Sequence, residues 1–521
     1  MRYFRHLTIR TPSQSKEIRG LNQVRSESGG HVWAVDRWTL VERFLLLGTE
    51  TGTIVPGQQK REKGSNANLE AAIAEDASRV LALIAEAGRS GRAVDEFPAL
   101  FALAMTGAQG DDASRRAAYE TMPQVARTAE HLFYFVSASD ELRGWGRGLR
   151  KAVGNWYTEK SDDDLVYQLI KNQARFGWSH ADVLRKAHVT PISSEQSVIL
   201  KWAVGADYEG SNQFLNSVIQ LRSMDSMIGA VELISQMDLP LHVIPRHMLT
   251  QPDVWNVLLP KMPLPAILEN LGVLSALGLL SEKSANTELV CQRLTDADRL
   301  RASRVRPASI WMSYREYALG VSIPDSRCWE PTASVLDALE AAYRLARVNG
   351  RQTGCRFVIS SGHAGSEAAG PRHSAIPSNE VKNLFASEFS LNGDEVFVMT
   401  SAGRCQLLQY EMGSGMVAGS GLMDIEQSDV DPAWPIIWAA RNRVNIDLFI
   451  LCQEHGSNRV LWELTQALAS YREATGYPAK AAVVDLSARR DPDHVEFDPG
   501  ILQVVGFDDS VPHALREFAA L

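Results

Sequence analysis

The chain is poor in cysteine. Its five (Cys291, Cys328, Cys355, Cys405 and Cys452) are scattered and form no C-x-x-C pair. An odd, dispersed set argues against a disulfide framework and against a structural zinc site, and it suits a reducing cytoplasm. Long apolar runs are also missing: nothing approaches the roughly eighteen residues that a membrane span needs. The opening MRYFRHLTIRTPSQSKEIRG is basic and polar and has no apolar centre, so residues 1–21 read as a flexible arm rather than a secretory signal. Nor is positive charge in excess. With 53 Lys and Arg against 62 Asp and Glu the net charge is −9, unlike a protein that coats nucleic acid indiscriminately. The glycine-bearing stretch Ser361–Ser366 lacks the Gly-Lys-Ser/Thr ending of a phosphate-binding loop and has no G-x-G-x-x-G, and Gly370-Pro371 delays any helix that could hold a phosphate. No enzyme activity and no cofactor are expected.

What remains is the composition of a globular protein, 45% apolar and 22% charged over 521 residues, too long for one ordinary core. From about residue 36 to 348 the apolar residues recur at helical spacing, as in Leu40, Phe44, Leu45 and Leu47, then Leu81, Leu83 and Ile84, then Leu100, Leu103 and Ala104. No fixed period stands out, so a strict repeat is not supported, while an irregular array of antiparallel helix pairs remains open. The pattern changes at Asn349–Gly354. Beyond it, the apolar runs Arg356–Ile359, Glu395–Met399, Ile446–Leu451, Ala481–Asp485 and Leu502–Gly506 read as strands. They alternate with helical stretches at Asn379–Phe389, Trp434–Arg443, Arg459–Thr475 and Val511–Leu521. Such alternation implies a mostly parallel sheet covered on both faces.

One segment runs against the global charge. From Arg143 to His188 there are nine Lys or Arg against five Asp or Glu, plus His180 and His188. Arg147, Arg150 and Lys151 lie at i, i+3 and i+4 on a helix that Trp145, Leu149, Val153 and Trp156 anchor. Lys171 and Arg175 repeat the i, i+4 pairing on a helix expected over Asp163–Phe176. Each like-charge pair costs about 0.2–0.5 kcal/mol in an isolated helix. Ser179 reads as an N-cap with Asp182 three residues on, opening a helix that carries Arg185, Lys186 and His188, with His180 in its first turn. An external anion such as a phosphate would account for the cluster; a solvated charged face is the plain alternative.

The residues WGRGLRKAVGNWY, GWSHADVLRKAHVTP and MPLPAILENLG, in that order, resemble the TROVE module of the Ro autoantigen family in its bacterial type. The start GGHVWAVDRWTLVERFLLLGTETGTI and the later VRPASIWMSYREYALG resemble that module's two ends, and the similarity continues to Phe507-Asp508. The resemblance implies a multidomain chain: an α-helical HEAT-like repeat ring over residues 22–350, then an α/β, Rossmann-like von Willebrand factor A domain over 352–521. It implies binding of small noncoding Y-like RNA on the outer surface and of single-stranded ends of misfolded or unprocessed RNA in a central hole. The role is that of a scaffold in RNA quality control, with a 3′ exonuclease as a further partner and neither DNA nor membrane involved. By position, Lys171, Arg175, His180 and His188 match family residues in RNA contact, and Arg147, Arg150 and Lys151 match its basic helix. Glu269 and Val273 stand where related chains are expected to be basic, which weakens the grip expected in the hole. A protein-interaction scaffold that does not bind RNA is the alternative.

A von Willebrand factor A domain ordinarily holds Mg²⁺ with Asp-x-Ser-x-Ser plus a later Thr and Asp. Here those positions fall on Gly362, Ala364 and Ser366, then Val430 and Glu454. Loss of a carboxylate and two hydroxyls removes most of the oxygen ligands that a hard cation needs, so no metal is expected.

Overall fold

The computed structural model describes residues 23–25, 31–56, 66–322, 326–350, 352–361, 376–399, 405–407, 431–453, 458–486 and 498–521. These fall into two compact units. One is drawn from Asn66–Ser303 and Ser313–Leu339. The other comes from the described parts of Met1–Ser65, Arg304–Met312 and Glu340–Leu521.

The first unit is built almost wholly of helices, and polar residues set where they begin. Asp111, Thr128, Ser161, Ser193, Asn212, Ser226 and Ser284 each accept a backbone N–H from the first turn of the helix they open. Such caps stabilise by about 1 kcal/mol apiece. The helix Phe97–Gln109 is buried continuously from Pro98 to Gly107. It is apolar on every side, as a helix enclosed by others must be. Helices Ala67–Ser90, Asp112–Val125 and Ala129–Leu142 pack around it.

Of the strands, β1 (Gln23–Arg25) and β2 (His31–Trp33) form a small antiparallel pair, and β3 (Gly52–Ile54) joins a larger sheet. β4 (Ala174–Arg175) and β5 (Trp178–Ser179) make a hairpin within the helical unit. β6 (Arg356–Ser361), β7 (Glu395–Met399), β8 (Cys405–Leu407), β9 (Leu448–Gln453), β10 (Lys480–Asp485) and β11 (Ile501–Val505) complete the larger sheet, whose order is β3-β11-β10-β9-β6-β7-β8. Every pairing in it is parallel except β7 with β8. β9 is buried at all six residues, as a strand covered on both faces should be. One face places Val358, Phe449, Leu451, Ala481 and Val483 against the helices Trp434–Asn442 and Asn458–Thr475.

The five strands expected from sequence are found, with ends shifted by up to two residues. The start of the chain differs from the expectation of helix throughout 22–350. Helix Arg37–Leu47 is present, capped by Asp36 and closed by Gly48 at φ 83°, but the strand that follows it belongs to the sheet. Gly52, Thr53 and Ile54 pair with Leu502, Gln503 and Val504 of β11, so this segment is part of the α/β unit. At the other end the division between units falls inside helix Ala333–Ala346 rather than at the change of sequence pattern near residue 352.

The α/β unit also buries charge. Arg472, 2% exposed, pairs with Asp498 at 2.6 Å, donates to the Ala479 carbonyl and lies over the Trp33 ring at 4.4 Å. Arg516, also 2% exposed, stands 3.5 Å from both Glu388 and Asp394, covers the Phe389 ring at 4.6 Å and donates to the Glu388 carbonyl.

Candidate nucleic-acid interface

Helix Arg147–Thr158 buries Leu149, Ala152, Val153, Trp156 and Tyr157. That face leaves Arg147 and Lys151 exposed and Arg150 half-buried at its border. Gly148 allows the helix to sit close to its neighbour Asp112–Val125, because a Cβ there would stand 2.8 Å from the Tyr119 ring. The WGRG motif is thus first a packing device and only then a carrier of cations.

The next helix runs Asp162–Lys171, with Asp162, Asp163 and Asp164 in its first turn and Lys171 in its last. Both ends suit the helix dipole. The helix expected through Phe176 therefore stops early, and Arg175 does not share a helical face with Lys171. The chain turns instead into the β4–β5 hairpin through Phe176 at φ 52° and Gly177 at φ 79°. Two successive positive φ values are what a two-residue hairpin turn of the primed type requires. Phe176 pays for its backbone by packing edge-on against Phe97 (5.7 Å) and Tyr134 (5.2 Å). Arg175 is held opposite Trp178, with its Nε 3.5 Å from Glu130; the pair is partly solvent-exposed. Trp178 rests against Trp145 at 5.6 Å between ring centres.

Ser179 and Asp182 form the expected capping box at the start of helix His180–Ala187. Arg185 and Lys186 are exposed in its last turn. His188 is exposed too, and closes the helix in the left-handed conformation at φ 52°. His180 departs from the sequence expectation. It is 4% exposed, its Nδ1 lies 2.8 Å from the Tyr157 hydroxyl, and its ring stands edge-on to Phe133 at 4.7 Å. A side chain so enclosed does not reach an RNA in this conformation. Its contact with Tyr157 ties the end of the hairpin to the helix behind it.

Burial pushes the His180 pKa down to about 4. A base whose folded pKa lies below its unfolded value of 6.5 costs stability as it charges. Its contribution is therefore constant above pH 6.5 and is lost as the pH falls from there toward 4. NMR titration of the imidazoles should show His180 still neutral at pH 5.5, and His180→Phe should remove its signal. A His180 midpoint above 6 would refute the buried placement.

Lys171 has an unforeseen neighbour. Its Nζ lies 5.5 Å from the centre of the Tyr167 ring, and His242 packs edge-on to the same ring at 4.9 Å. No local signal could have linked residues so far apart in sequence.

The positions expected to be a degraded metal site, Gly362, Ala364, Ser366, Val430 and Glu454, lie outside the described residues. At the adjoining strand ends, Ser361 pairs in register with Cys452, whose thiol burial pushes up to about 12. The charge of the buried Lys382 acts on that thiol. A protonated thiol beside an ammonium does not fit a hard divalent cation. Among the described residues no group of three or more His, Cys, Asp or Glu could hold a metal ion. Calorimetric titration of the full chain with MgCl₂ should give no saturable heat; a saturable site would mean that the remaining loops supply the ligands. No helix among the described residues is long and apolar enough to cross a membrane.

The family model described as the TROVE domain matches residues 24–220 and 242–314, and that described as the Ro60 vWA domain matches residues 416–519. The chain is 30% identical over 512 residues to a Deinococcus radiodurans protein named RNA-binding protein RO60, covering 95% of each. It is 27% identical over 596 residues to the RNA-binding protein RO60 of Caenorhabditis elegans, covering 98% of this chain and 92% of the other. The crystal structure of the Deinococcus radiodurans RO (RSR) protein superposes with a TM-score of 0.80 at 28% identity, covering 93% of this chain and 99% of that one. With a TROVE match over more than half its length and that degree of identity along nearly all of it, this chain belongs to the Ro family.

Proposed function

We propose that this protein binds RNA through the helical unit, with Lys171, Arg175, Arg185, Lys186 and His188 contacting phosphates and Arg147, Arg150 and Lys151 extending the same charge. The observation that carries the reading is the exposure of Arg147, Lys151, Lys171, Arg175, Arg185 and Lys186 in a protein of net charge −9. Phosphate recognition by scattered Lys and Arg is largely independent of sequence, so the RNA is selected by its shape and by unpaired segments. Two relatives bear the name RNA-binding protein, which supports the same conclusion.

In finer detail, the reading assigns a small structured Y-like RNA to the outer basic surface and the single-stranded ends of misfolded or unprocessed RNA to a central hole. The protein then acts as a scaffold, not a catalyst, and can present such RNA to a 3′ exonuclease. Threading is the weaker arm, because Glu269 is exposed where a cation would serve better.

The test is a fluorescence titration of a structured small RNA at two salt concentrations. The expected result is tight binding at low salt that weakens steeply as salt rises. Absent or salt-insensitive binding would leave the helical surface as a protein-interaction scaffold.

A further inference from the structure

We propose that His242 completes a phosphate-binding site with Lys171, the two side chains flanking the ring of Tyr167. This rests on the RNA-binding reading above and extends it to a segment that the basic cluster does not include.

The geometry places two cation-capable side chains at one aromatic ring, Lys171 Nζ at 5.5 Å from its centre and the His242 ring at 4.9 Å. Lys171 and His242 are exposed, and Tyr167 is half-buried between them. His242 is fixed in place by its own segment. It sits in the short turn Leu241–Val243, where the Val243 and Ile244 amides donate to the Pro240 and Leu241 carbonyls. Leu239, Val243, Ile244 and Met248 are buried and hold that turn to the core.

The charge is also unbalanced. Among the described residues neither Lys171 nor His242 forms an ion pair with a carboxylate. Burial first, and then the Lys171 ammonium, hold the His242 proton less firmly than in an ordinary histidine. The imidazole is therefore neutral beside Lys171 until an anion arrives, and a phosphodiester oxygen reached by both side chains favours its protonation. Histidine protonated on a phosphate donates from both ring nitrogens, and lysine donates from three N–H bonds. Arg246, exposed on the same segment, adds positive charge nearby in the chain.

The experiment uses the full chain and a fluorescein-labelled RNA stem–loop with a single-stranded 3′ tail. Affinity is measured across a salt series for the unmodified protein, His242→Ala, Lys171→Ala, their combination, and Lys171→Ala/Arg175→Ala. His242→Ala should weaken binding about tenfold, as loss of a charged hydrogen bond does. It should also flatten the slope of log affinity against log salt by about one. The combined variant should lose less than the product of the two single losses, because both side chains serve one phosphate. His242→Arg should retain both affinity and slope. If Lys171→Ala/Arg175→Ala weakens binding while His242→Ala changes neither affinity nor slope, this site is wrong and the RNA-binding reading stands. A loss of affinity in His242→Ala without any change in slope also overturns it, since the histidine then acts by packing. If the RNA binds none of these proteins, both fall together.

Discussion

Replacing Arg516 by methionine should cost the protein about 3–5 kcal/mol, the penalty for stranding buried charge. The guanidinium lies 3.5 Å from Glu388 and 3.5 Å from Asp394, whose side chains are 5% and 0% exposed. Methionine fills much of the space and keeps contact with Phe389, so the loss is mainly electrostatic. Asp394 retains its bonds from the Thr353 and Gly354 amides, but Glu388 loses the cation nearest to it. Burial already pushes the Glu388 carboxyl above its ordinary 4.5, with Arg516 acting in the opposite direction. Without Arg516 it rises further. A carboxyl whose folded pKa is raised contributes stability at low pH and loses it as pH climbs through the folded value. The deficit of the variant should therefore be largest at neutral pH and shrink toward pH 5. Urea midpoints at pH 5 and pH 7.5 measure this directly. An Arg516→Met protein as stable as the original at pH 7.5 would show that these charges are not held as described. Adding Glu388→Gln should recover part of the loss, because the stranded charge is then gone.

The double variant Lys171→Ala/Arg175→Ala should lose RNA affinity about a hundredfold at low salt. A hydrogen bond to a charged group contributes about 1.5 kcal/mol or more, and each 1.4 kcal/mol is tenfold. The salt slope should fall by about two, one for each phosphate contact removed. The Arg175–Glu130 pair does not spare Arg175 for a purely structural task. It is long and partly exposed, and such pairs are worth about 0–1 kcal/mol. The thermal midpoint should change little, since Lys171 and Arg175 both project into solvent. Unchanged affinity and slope would remove these residues from the interface.

Much of the architecture was legible because its signals are long and repeated. Five parallel strands announce themselves as apolar runs, since both faces of each are covered. The capping box at Ser179 could be read from two residues. The β4–β5 hairpin could not: its strands have two residues each, and its turn opens on phenylalanine, where asparagine would be the usual sign. What stabilises Phe176 there is a set of rings contributed by other helices. The same reason hid the burial of His180, which depends on Tyr157 and Phe133 rather than on its neighbours in sequence. Arg472 and Arg516 look like ordinary helix-surface residues until Asp498, Glu388 and Asp394 close around them. The parts that escaped are those fixed by partners distant along the chain.

The pairing of β3 with β11 joins Thr53 to Gln503 across 450 residues. At roughly 5–20 residues per second on the ribosome, the first-made of these strands waits about 20–90 s for its partner to be synthesised. Until then Gly52–Ile54 is an unclaimed strand. For a piece of the protein that begins at the change of pattern near residue 352, the reverse holds: β11 is present and its outer edge is bare. Such an edge offers unpaired N–H and C=O groups to any other chain. The α/β unit therefore cannot be cut from the sequence at that point without creating a site for self-association, and any separable version of it must carry the early segment along.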